Sequence, residues 1–333
     1  YKKDGNYYIF TCHMEKGKKK TEDCFVSDSL TGAFKGKCII DDDMGYHGLG
    51  VAQGGMVDTP DGDWYAFMFQ DRGALGRAPV LMPMHFEDGF PIIGENGKVP
   101  EVVTVLDTGY QYAAINGSDD FFYKPDENGQ ITLKNFWEFN HQQMDDFWSV
   151  TENPGHLRLH SAKLSPTLFQ AYNTLTQRTV GPKCAAEVTL RFAHMKNGDV
   201  AGISTFIGNY GFIGVKKEKD QYYLIMMGRP AKDTSVFGQF EYENPGLEYA
   251  RVPIYGESIC LRAEADFTDK RDLSSFYYKE GDNWQKLGID QPMYFKMDLF
   301  TGCRFGLFYY STEQTGGYVD FSKFQFIWPE YVY

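Results

Sequence analysis

Apolar and polar residues alternate with a period of two along much of the chain. Ala185 to Phe192 is the clearest case: Glu187, Thr189 and Arg191 fall on one face, and Val188, Leu190 and Phe192 on the other. Trp64 to Phe69 is a strand-like aromatic run, and Val80 to Met84 reads as its returning partner. The tip between them holds Gln70-Asp71-Arg72-Gly73 and then Gly76-Arg77, so Arg77 is predicted to open the returning strand beside a Gly-rich loop. Glu87-Asp88-Gly89 and Asp4-Gly5 are hairpin signals, because a Gly after Asp tolerates the positive φ of a tight turn. Tyr210 to Val215 and Tyr222 to Met227 form another predicted pair. Long helical periods are scarce, so the predicted class is all-β. After Pro100 the alternation fades. The predicted division is a first domain over 1–105, a linker over 106–130 and a second domain over 131–333.

Composition sharpens this picture. A length of 333 residues exceeds what one core usually fills, which favours two domains. Aromatics reach 17%, with 27 Phe and 23 Tyr, alongside 35 Gly. Most such rings fill β cores, and some suit stacking on sugars. A net charge of −12 argues against nucleic-acid and anionic-membrane partners, which require a basic footprint. Lys16 to Lys20 is interrupted by Gly17 and followed by Glu22 and Asp23, so it reads as a solvated loop. No apolar run reaches the length of a membrane span. The six cysteines lack CxxC spacing, which indicates neither zinc nor a thioredoxin motif. They are expected to be mostly buried thiols, with pairing among Cys12, Cys24 and Cys38 left open. The chain opens inside a hairpin pattern without an initiator Met, so further sequence is expected before Tyr1. The compartment stays open, with a secreted or periplasmic location slightly favoured.

Other candidate sites have simpler readings. Asp58, Asp61 and Asp63 are close-spaced acids, but a Pro-Asp-Gly turn explains them better than a calcium loop. His156 and His160 lie in an alternating segment, where i and i+4 are too far apart for one ion. Asn116-Gly117-Ser118 matches a glycosylation acceptor, which matters only in a eukaryotic secreted protein.

Phe69 to Pro83, FQDRGALGRAPVLMP, followed by Glu87 to Pro100, EDGFPIIGENGKVP, resembles the late catalytic domain of glycoside hydrolase family 43. Tyr1 to Phe10 is similar to the family segment that follows its Glu-Gly-Pro catalytic acid, and Cys24 to Phe34 to the close of a blade. Phe136 to His141, Trp148 to Glu152, Pro154 to Leu159 and Asn173 to Thr179 resemble the appended β-sandwich. The resemblance spans about 1–105 and 131–328. It implies the C-terminal blades of a five-bladed β-propeller followed by a concanavalin-like or jelly-roll β-sandwich.

It also implies an inverting, exo-acting hydrolase releasing xylose or arabinose from hemicellulose oligosaccharides. The implied partners are xylo-oligosaccharide or arabinoxylan. Inversion needs an acid and a base about 6.5–9.5 Å apart. No residue of this chain matches the family's acid, base or third, pKa-tuning carboxylate, which are expected before Tyr1. Glu15 and Asp71 do not stand in the catalytic contexts. By resemblance, Arg77, Gln53, Asp71 and Phe300 are candidate substrate-binding residues. Arg77 would face the sugar subsite, and Phe300, in Asp298-Leu299-Phe300-Thr301-Gly302, would cover its mouth. The family's His-Gln-Gly-Gly reads Ala52-Gln53-Gly54-Gly55 here, leaving His47 as the candidate metal ligand. No cofactor is required, and a structural Ca²⁺ is the one ion considered. The competing reading is a non-catalytic carbohydrate-binding or structural sandwich with a propeller remnant. Whether the parent protein carries the three carboxylates discriminates the two.

Overall fold

A computed structural model describes residues 1–15, 17–105, 108–230, 235, 243–297 and 301–328. Strands and short 3₁₀ turns make up its regular structure, so the described chain is all-β. None of its helices is long and apolar enough to cross a membrane. The chain divides into two units, Tyr1–Arg72 with Gly76–Gln111, and Gly73–Leu75 with Tyr112–Tyr333.

The first unit contains two four-stranded antiparallel sheets, each an up-and-down blade. One runs β1 (Lys2–Lys3), β2 (Asn6–His13), β3 (Thr21–Ser27) and β4 (Lys35–Ile40). The other runs β5 (Ala52–Asp58), β6 (Trp64–Asp71), β7 (Arg77–Glu87) and β8 (Phe90–Ile93). The Asp-Gly turns are the reason the register closes. Asp4 and Gly5 have φ of 48° and 85°, and Asp88 and Gly89 have 49° and 80°. Two successive positive φ values are the geometry whose twist matches paired strands. Tyr8, Cys24, Ile40, Met56, Ala66, Met68, Met82, Met84 and Ile93 form this unit's core. Between β5 and β6 the Asp58–Asp63 segment is a turn, with Gly62 N donating to Thr59 O at 3.0 Å.

The second unit is a two-sheet sandwich. Its first sheet holds β10 (Trp148–Ser149), β11 (Leu157–His160), β13 (Lys183–Arg191), β18 (Ser258–Asp266), β19 (Leu273–Glu280), β20 (Asn283–Lys286), β21 (Gln291–Pro292) and β23 (Tyr318–Ile327). The second orders β17 (Leu247–Pro253), β16 (Gln221–Gly228), β15 (Gly211–Glu218), β14 (Asp199–Phe206), β22 (Arg304–Ser311), β12 (Leu175–Arg178) and β9 (Glu138–Phe139). The alternation along β13 sorts as expected: Val188, Leu190 and the adjoining Phe192 are fully buried, while Arg191 is exposed. They join Ile203, Ile213, Leu224, Leu261 and Leu307 in the core between the sheets. The other face of the seven-stranded sheet is also apolar. Phe206, Phe212, Phe308 and Tyr310 are packed there under Leu168, Phe169 and Ala171.

The stretch 108–130 has no strand, and from Tyr112 it counts with the sandwich unit. Phe121 is fully buried there, and the buried Asp119 accepts from Trp137 Nε1 at 2.8 Å and Phe121 N at 2.9 Å. His156 precedes β11 and reaches Pro154 O, whereas His160 faces Glu152 at 3.1 Å. All six cysteines are free thiols, as expected, with no pair among Cys12, Cys24 and Cys38. The expectation that most of them are buried needs correction. Only Cys24, Cys184 and Cys303 are buried. Cys12 and Cys38 are exposed, because the end of β2 and most of β4 face solvent on both sides.

Candidate functional site

The hairpin β6–β7 positions the candidate site in the first unit. Asp71 and Arg77 are register partners at its end, and Arg72 N donates to Gly76 O at 2.8 Å to close the tip. The tip needs glycine: Gly76 has φ of 95°, a conformation that a Cβ disfavours. This geometry sets Arg77 Nε 3.2 Å from Asp71 Oδ1. Lys20 Nζ donates to Asp71 Oδ2 at 3.0 Å. Both cations also sit 4.2 Å from the centroid of the Phe69 ring, which favours cations through its negative face. One carboxylate and one ring thus hold two cations in place.

The neighbouring strand adds a buried acid. Between Ala52 and Gly55, β5 carries a bulge against β6. Gln53 adopts φ of 67° in it, unusual for a residue with a Cβ. A side chain at Gly54 would collide with Phe67 O at 2.0 Å, so the bulge requires glycine there. The bulge sends Gln53 N to Glu22 Oε2 at 2.7 Å. Glu22 is 1% exposed, and burial pushes its carboxyl up despite the amides of Gln53 and Gly54. Fully buried Gln70 donates to Asp43 O at 2.7 Å and Leu49 O at 2.5 Å, which ties the 43–49 loop to β6. In that loop, the amides of Gly45 and Gly48 hold the Asp43 carboxyl below its usual range.

Asp71 and Arg77 are therefore brought together, while Gln53 contributes its backbone amide to Glu22. Phe300 lies outside the described residues. His47 is exposed and packs edge-on against Tyr46, whose ring lies 4.0 Å from the Arg72 guanidinium carbon. Among the described residues, no group of three or more His, Cys, Asp or Glu is arranged to hold a metal ion. Sequence reasoning missed Lys20 and Glu22. Reading Lys16 to Lys20 as wholly solvated is wrong at Lys20, which is buried between Asp71 and Phe69. Its position directly before β3 was the available signal, since a strand's first residues share the strand's alternation of faces. Glu15 is a loop residue paired with Lys18.

Chemically, Asp71 has a cation on each oxygen, so it serves to position Arg77. The several donors of the Arg77 guanidinium can serve Asp71 and a hydroxyl-rich ligand together.

Residues 126–327 match the family of beta-xylosidase C-terminal concanavalin A-like domains. The chain is 25% identical to a beta-xylosidase of Formosa agariphila, over 98% of this chain and 58% of that protein. It superposes on a bifunctional GH43-CE protein of Bacteroides eggerthii with a TM-score of 0.83 at 36% identity, covering 98% of this chain and 40% of the other. An engineered GH43 glycoside hydrolase with endo-xylanase and exo-arabinofuranosidase activity gives a TM-score of 0.82 at 28% identity, covering 98% and 63%. The chain thus spans less than two thirds of each of these relatives. With blade-like sheets in the first unit and a concanavalin-like sandwich in the second, the chain belongs to glycoside hydrolase family 43.

Proposed function

We propose that this chain forms part of an inverting, exo-acting glycosidase that releases xylose or arabinose from hemicellulose oligosaccharides. The observation that carries this reading is the Lys20–Asp71–Arg77 cluster on Phe69, within the Gly-Arg hairpin that resembles the family's sugar subsite. Similarity to proteins named for beta-xylosidase and exo-arabinofuranosidase activities supports a pentose substrate. The catalytic acid, base and third carboxylate are not among these 333 residues on this reading. Arg77, with Asp71 as its anchor, would bind the sugar, and Gln53 would line the same subsite.

The 333-residue chain should therefore turn over aryl β-xyloside and aryl α-L-arabinofuranoside poorly. Loss of a general acid alone costs on the order of 10²–10⁴ in rate. Turnover within about tenfold of a relative that carries all three carboxylates would overturn the assignment of the catalytic groups to other sequence. In a longer protein that includes them, activity on either glycoside is the expected result. Oligosaccharide binding without turnover would favour the non-catalytic reading.

A further inference from the structure

We propose that the outer face of the seven-stranded sheet carries a second binding site, centred on Arg304, for a single acidic sugar ring of the uronic acid class. Strand register brings the residues together. Arg304 on β22 lies opposite Phe206 on β14 and Arg178 on β12. Thr176 on β12 lies opposite Gly306 on β22 and Glu138 on β9. Directly opposed residues share a face, so two adjacent rows, Arg178–Arg304–Phe206 and Glu138–Thr176–Gly306, look out on the same side. Between them and the covering segment is a recess of about 180 Å³, lined by Glu138, Asn140, Thr176, Phe169, Phe206 and Arg304.

The recess is rich in unused donors. Arg304 Nη1 is held by Glu138 Oε2 at 2.7 Å. Its Nε and Nη2 are buried and have no hydrogen-bond partner among the described residues, and neither has Asn140 Nδ2. Buried donors left unpaired are costly and rare in folded proteins. Nε and Nη2 form one edge of the guanidinium, the fork that takes both oxygens of a carboxylate. Arg178 and Arg304 against Glu138 leave one positive charge in the two rows, which matches one carboxylate. Phe169 and Phe206, with ring centroids 5.2 Å apart, offer an apolar wall to the C–H face of a sugar. The volume is below the roughly 300–1,000 Å³ of drug-sized pockets, so it suits one ring. The Arg304 side chain is only 13% exposed, so an occupant reaches its fork by shifting a lining side chain, a common change on binding. The carboxylate assignment stands on this geometry alone, and the choice of a sugar rests on the glycosidase reading.

The test is a titration of the 333-residue chain, followed by NMR or calorimetry, with methyl glucuronoside, methyl xyloside and acetate as separate probes. Saturable binding of the glucuronoside, with methyl xyloside and acetate each about tenfold weaker or worse, is expected from a charged bidentate contact. Arg304→Met should abolish this preference. Arg304→Lys, which keeps the charge and loses the fork, should also weaken glucuronoside binding by about tenfold and guards against misfolding of the Met variant. Equal binding of all three probes, no saturable binding, or unchanged glucuronoside affinity in Arg304→Lys would overturn the proposal. Pentosidase activity of a longer protein is measured separately on aryl glycosides. A failed glycosidase reading with intact glucuronoside binding, or the reverse, is therefore recognisable.

Discussion

At the scale of single residues, Arg77 and Arg72 share one hairpin end and have different surroundings. Arg77 is anchored by Asp71 and Phe69, whereas Arg72 stacks on Tyr46 and its Nε is buried without a hydrogen-bond partner among the described residues. If Arg77 donates to the sugar, Arg77→Ala should lower kcat/KM of a longer, active protein by about ten- to a hundredfold. Arg72→Ala should change kcat/KM far less, and equal small effects would place Arg77 outside the subsite. Asp71→Ala removes the partner of buried Lys20 and should destabilise the first unit by about 1–3 kcal/mol in denaturant titrations. A change within error would show that Lys20 finds water instead. Glu22 makes stability depend on pH. Its folded carboxyl is raised above the ordinary value of 4.5, so the fold favours the protonated form. That contribution is fully present below the ordinary value and is lost as pH rises through the folded one. Glu22→Gln mimics the protonated acid, so its stability relative to the parent should grow from pH 4 to pH 8. A pH-independent difference would refute the raised value.

At the scale of elements, the sandwich depends on close strand approach where no side chain fits. Gly202 on β14 and Gly214 on β15 are register partners. A Cβ on Gly202 would lie 2.1 Å from Ile213 O, and one on Gly214 would lie 2.3 Å from Ala201 O. Both obstacles are backbone, which cannot rotate away. Gly202→Ala should therefore cost about 1–3 kcal/mol, the usual penalty of overpacking, and lower Tm by several degrees. An unchanged Tm would mean that the sheet relaxes freely. The hairpins were readable in advance, because Asp4-Gly5 and Asp88-Gly89 sit where two left-handed residues are needed. The bulge at Gln53 was not readable, since nothing in the local pattern of polar and apolar residues separates it from a plain strand. The covering of the second sheet face by Leu168 and Phe169 was hidden for the same reason.

At the scale of the molecule, the sandwich unit has its own continuous core, from Phe121 and Trp137 to Phe321 and Phe324. Residues from Tyr112 onward should fold alone and give one cooperative thermal transition. Limited proteolysis of the chain should trim roughly the first 110 residues before the rest, since the first unit has the smaller core. Equal resistance of both parts would contradict that order.

Period-two alternation, Asp-Gly turns and aromatic content determined from sequence that the chain is all-β. The residues around Gly76-Arg77 placed it beside family 43. These signals are local: a strand's inward face and a turn's φ values depend on residues a few positions apart. Lys20 lies 51 residues from Asp71, and Glu22 lies 31 from the amide of Gln53. Arg304 meets Glu138 from opposite ends of the sandwich sequence. Alternation shows that a face is buried and is silent on which distant strand covers it. Strand order and register, which only tertiary packing decides, assembled the ion cluster on Phe69 and the donor-lined recess around Arg304.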